Sequence, residues 1–93
     1  MNKIVIVAAG KSWIFESAGS AVSLPAPLSI TVHPNGGTVT VETMTASGGE
    51  WVPVASGGLA GDLSAPVSDV LTGTLYAVQF SASGAPATIE LAW

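Results

Sequence analysis

The chain has no cysteine, no arginine, two lysines and one histidine in 93 residues. Each absence removes a class of explanation. Without Cys there is no disulfide, no thiolate metal site and no thiol nucleophile. Lys3 and Lys11 lie near one end, too few to neutralise a phosphate backbone, so nucleic acid is not an expected partner. Charged residues make up only 9% of the chain, against about 25% in an ordinary soluble domain. No apolar run approaches the roughly 20 residues of a membrane span, so no membrane partner is expected. The Ile4–Ala9 run is also shorter than the apolar region of about 7–15 residues in a secretory signal. It reads as a buried strand.

What is present is apolar and small. Hydrophobic residues make up 48% of the sequence and the mean hydropathy is +0.59. Net charge is −4, from Glu16, Glu42, Glu50, Asp62, Asp69 and Glu90 against the two lysines. The length suits one domain spanning residues 1–93. A domain this small buries roughly 60–65% of its unfolded surface and has a narrow stability margin. With no covalent staple available, oligomerisation is the expected remedy, and a homotrimer is the preferred form.

The pattern along the chain is that of strands. Ile4 to Ala9 is apolar on both faces. Ser12 to Glu16 alternates, with Trp13 and Phe15 on one side. Gly10-Lys11 between them suggests an N-terminal hairpin. Residues 17–27 read as loop, stiffened by Pro25 and Pro27. Leu28, Ile30 and Val32 then alternate with Ser29, Thr31 and His33. After Pro34-Asn35-Gly36-Gly37, Val39 and Val41 alternate with Thr38, Thr40 and Glu42. Asn-Gly accepts positive φ at low cost, so residues 28–44 are expected to form a hairpin.

Pro53 cannot donate to a ladder, which places Glu50–Val54 at an edge or in an irregular strand. Gly57, Gly58, Gly61 and Pro66 argue against a helix over residues 55–68. That segment reads as a long crossing between sheets, anchored by Leu59, Leu63 and Val67. Val78 and Phe80, then Ile89 and Leu91, alternate about Ser83-Gly84-Ala85-Pro86 and suggest a closing hairpin over residues 75–93. Trp93 is predicted to be packed. Seven or eight short strands at about 8–12-residue spacing, with no helical periodicity, predict an all-β fold. The expected form is a small antiparallel β-sandwich or jelly-roll-like barrel. Val32, Val39, Val41, Val78, Phe80, Ile89 and Leu91 are the predicted core.

Chemistry-bearing constellations are sparse. His33 lies on the polar face of a strand just before a turn and reads as a solvated residue. No acid and nucleophile flank it in a triad pattern. Glu42 and Glu90 sit in alternating Thr/Glu settings on outward faces, and Glu50 adds no pairing signal. Asp62 and Asp69 lack the spacing of a calcium loop. The Gly-Gly pairs are followed by Thr, Glu and Leu, not by the Lys-Ser/Thr of a phosphate cradle. No catalytic residue, metal ligand or cofactor is expected, and the chain is not expected to be an enzyme. The remaining candidates are apolar. Ile4, Val5, Ile6 and Val7 form a strand too apolar for one small domain to cover, and Trp13 and Trp51 are candidate interface anchors.

The segments Thr38-Val-Thr-Val-Glu42, Gly49-Glu-Trp51 with Pro53, Leu71, Ala77-Val-Gln-Phe80 and Ala87-Thr-Ile-Glu-Leu91 together resemble small structural proteins of tailed bacteriophages. The likeness covers residues 28–93. It implies a β-sandwich protein of the virion, with head decoration (cement), head-fibre and tail roles open. Such a protein would be made in the bacterial cytoplasm and would sit on the capsid surface. It would bind the major capsid protein or another virion protein, often as a trimer. A carbohydrate-binding β-sandwich, stacking a sugar on Trp51 or Trp13, is the alternative reading.

Overall fold

The computed structural model describes residues 1–17 and 23–93. Eight strands form where the sequence alternates. They are β1 (Asn2–Val7), β2 (Ser12–Glu16), β3 (Leu28–His33), β4 (Thr38–Met44), β5 (Val52–Pro53), β6 (Val67–Leu71), β7 (Ala77–Ser83) and β8 (Ala87–Ala92). There is no helix among the described residues. The strands make two four-stranded sheets, a front sheet ordered β1-β8-β3-β6 and a back sheet ordered β2-β7-β4-β5. All six ladders are antiparallel. The successive strands β1 and β2, β3 and β4, and β7 and β8 occupy matching places in opposite sheets. This is the connectivity of an eight-stranded jelly roll, one form of β-sandwich.

The three expected hairpins are therefore corners. β1 pairs with β8 and β2 with β7. β3 pairs with β6 and β8, while β4 pairs with β5 and β7. The turn chemistry itself is as the sequence implies. Asn35 and Gly36 both have positive φ, 55° and 97°, and Gly37 N–H donates to Pro34 C=O at 3.1 Å. The flanking strands nevertheless separate. A hairpin would put Ile30, Val32, Val39 and Val41 on one face of one sheet, still needing a cover. The corner sets the same residues against one another through the core. Alternation is identical in the two arrangements, so it cannot choose between them.

The core holds the expected residues. Val32, Val39, Val41, Val78, Phe80, Ile89 and Leu91 are all buried. Leu24, Leu28, Ile30, Leu59 and Leu63 join them. The long connection after β5 does cross between sheets, and Leu63 makes a bridge to Val39 beside the edge strand β5. β5 is two residues long and ends in Pro53, as its composition requires. Two corners interlock at one end of the sandwich. A Cβ at Gly37 would come within 2.3 Å of Ser83 O and 2.7 Å of Ala85 N, so only Gly fits. Asn35 Nδ2 donates to Pro86 O and to Thr88 Oγ1, both at 3.3 Å.

Candidate assembly interface

β1 is an edge strand of the front sheet, and alternation divides its apolar residues between two faces. Val5 and Val7 point into the core; Val7 is buried and Val5 packs against the cluster from a half-buried position. Ile4 and Ile6 point outward and are 68% and 73% exposed. One face of this strand is thus covered by its own sandwich, and the other is open.

Trp13 lies on β2, the edge of the back sheet on the same side of the sandwich. It faces inward. Its indole stacks on Phe15 and on Phe80, each with ring centroids 6.0 Å apart. Trp93 contacts Phe15 at 5.2 Å in a tilted geometry. Both tryptophans pack against the core cluster from half-buried positions. Trp51 directly precedes β5 at the opposite edge and is half-buried. The structure therefore groups Ile4, Val5, Ile6, Val7 and Trp13 on one side of the sandwich and sets Trp51 on the other.

The outer face of the front sheet is polar at its centre. Ser29, Thr31 and His33 of β3 lie beside Thr88, Glu90 and Ala92 of β8. His33 is not simply solvated. Its Nε2 lies 2.5 Å from Glu90 Oε2, with the two side chains 34% and 44% exposed. The pair staples β3 to β8 at the surface and is worth about 0.2–1 kcal/mol at such exposure. Thr31 and Ser68 share a hydroxyl hydrogen bond at 2.9 Å toward β6. A shallow trough between Ile4 and Thr31 is lined by Asn2, Ser29, Glu90 and Ala92. Asp69 is occupied locally, its carboxylate accepting from Gly58 N at 2.9 Å and Val70 N at 2.8 Å. The outer face of the back sheet carries Ser12 bonded to Ser81 at 2.8 Å and Gln79 donating to Glu42 at 3.4 Å.

Three apolar surface residues escaped the sequence reading: Ile14 on β2, Val52 on β5 and Val70 on β6, exposed by 44%, 55% and 46%. Each sits in a plain alternating or short strand. For Ile14 and Val70, only the knowledge that the strand is an edge makes the residue conspicuous. No protein-family model, curated protein or solved structure matches the chain.

Proposed function

We propose that the protein is a structural component of a tailed-bacteriophage virion, working by protein–protein binding on the capsid as a decoration subunit. The observation that carries the reading is the open outer face of β1, where Ile4 and Ile6 stand exposed on a chain with few charges. Ile4 and Ile6 share that face, and contiguous exposed apolar surface is where binding partners commonly dock. Its burial against a capsid protein would supply about 1.5–3 kcal/mol for each side chain fully covered. Repetition over a lattice of equivalent sites makes modest single contacts sufficient. The sequence likeness over residues 28–93 supplies the virion context. Jelly rolls occur among capsid proteins and also among lectins, so the fold agrees with this role without selecting it.

The test is co-sedimentation of the purified chain with empty heads assembled from the major capsid protein of the genome that encodes it. Saturable binding is expected, and it should fall at least tenfold for the Ile4→Ser/Ile6→Ser variant. Absence of binding by the unaltered chain would overturn the reading.

A further inference from the structure

Every large apolar side chain that stands exposed among the described residues lies on an edge strand or, for Met1, beside one. Ile4, Ile6 and Ile14 are on β1 and β2, which form one side of the sandwich. Val52 and Val70 are on β5 and β6, which form the other. The four inner strands show none.

Both lysines lie on the first side, where Glu16 of β2 is the one carboxylate. Lys3 lies on β1 and Lys11 directly before β2. On the opposite side Asp69 is on β6, Glu50 closely precedes β5, and Asp62 adjoins Pro53 of β5. That side carries no lysine, since the chain has only these two.

The front sheet also has two pairable edges. Trp93 N–H donates to Met1 C=O at 2.9 Å, and Met1 N in turn donates to Trp93 C=O. Alternation along an antiparallel ladder then turns the N–H and C=O groups of Asn2, Ile4 and Ile6 to the free edge. Carried across β8 and β3 in the observed registers, the same alternation leaves Ser68 and Val70 at the free edge of β6. Neither strand contains Pro or a bulge to blunt it.

We infer that copies of this chain associate head to tail, β1 of one adding to β6 of the next so that the front sheet runs on from subunit to subunit. Strand directions alternate through β1-β8-β3-β6, so a neighbour in the same orientation brings β1 against β6 antiparallel. The register that pairs the edge-facing groups sets Ile4 opposite Val70 and Ile6 opposite Ser68, with Val70 N–H exchanging the Asp69 carboxylate, which it now meets at 2.8 Å, for the neighbour's Ile4 carbonyl. Exposed Ile4 then meets exposed Val70 on the outer face. Lys3 falls diagonal to Asp69, within reach of a long side chain. Pairing of β1 with another β1 would bring together the two lysine-bearing sides and leave Val70 uncovered. A head-to-tail contact is heterologous and cannot close in a pair, so the smallest closed assembly is a ring of three.

The absence of cysteine makes the test clean. In this register Ile4 and Val70 of neighbouring subunits are a hydrogen-bonded pair with Cα atoms about 5.5 Å apart, inside the range of a disulfide. Within one subunit they lie on opposite edges of a four-stranded sheet, about 14 Å apart at ~4.8 Å per strand. Oxidised Ile4→Cys/Val70→Cys protein should run on non-reducing gels at three or more times 9.2 kDa. Ile4→Cys alone and Val70→Cys alone should stay uncrosslinked. Light scattering of the unaltered chain should give the same multiple. Crosslinking of Ile4→Cys alone would show two-fold β1 pairing and overturn the inference. So would an unaltered chain that is a monomer or dimer at high concentration. If the double variant loses its β circular dichroism, Ile6→Cys/Ser68→Cys tests the same register. An assembly that ignores phage heads removes the virion reading and leaves this contact standing; a monomer that decorates heads does the reverse.

Discussion

The inner strands and the edge strands of this sandwich obey different rules. β3, β4, β7 and β8 bury the apolar half of their alternation and show Ser, Thr, Gln, Glu or His outward over most of their length. β1, β2, β5 and β6 are leaky: each leaves an Ile or Val in solvent. If those exposed residues merely reflected an apolar composition, they would scatter over all eight strands. Their confinement to the edges separates two tasks within one short sequence. The inner strands hold the subunit together, and the edges are left with apolar surface that the subunit does not use.

That division is open to direct attack. The largest effect is expected in the middle of the back sheet. Phe80 is fully buried and stacks on Trp13, so Phe80→Ala should cost about 3–5 kcal/mol. Urea denaturation would measure it, and a loss under 1 kcal/mol would mean that the inner strands do not carry the core. Next comes the corner where β3–β4 meets β7–β8. Gly37→Ala drives a methyl into the Ser83 carbonyl and the Ala85 amide, both backbone atoms that cannot swing aside. A loss of about 1–3 kcal/mol is expected, of the size found for locally strained backbone, visible as a lowered Tm. Smallest is the edge. Ile6→Ser should change subunit stability by no more than about 0.5 kcal/mol, since that side chain is 73% exposed. Measured on dilute protein, a loss comparable to that of Phe80→Ala would erase the distinction between inner and edge strands.

The strands and the inward-facing residues were legible because alternation reports them directly. Val32, Val39, Val78, Phe80 and Ile89 could be assigned to the core from period alone, and Pro53 marked its own strand as an edge. Pairing was not legible. Asn35-Gly36 correctly signals a tight turn with two positive φ values, yet the turn says nothing about whether its strands stay together. The partner of Ile30 is Leu91 on one side and Asp69 on the other, and nothing near Ile30 in the sequence encodes either. The His33–Glu90 contact was hidden for the same reason, since 57 residues separate the two. Ile4 to Val7 could be picked out as apolar on both faces. Val70 could not, because a valine among Ser68, Asp69 and Leu71 is unremarkable until β6 is known to end a sheet.

Five of the six ladders join strands that are not consecutive in the chain. β7 and β8, the seventh and eighth strands, are inner strands of the two sheets. During vectorial synthesis the ribosome therefore delivers the outer strands β1 and β2 long before the inner strands that pair with them. Until β7 and β8 emerge, β1 and β2 have no partner at all, and the only ladders within reach are β3 with β6 and β4 with β5. Loop-closure entropy over such separations makes folding slow compared with a helical protein of this length. The nascent chain thus carries its most apolar strand, β1, already made and unpaired until β8 is complete.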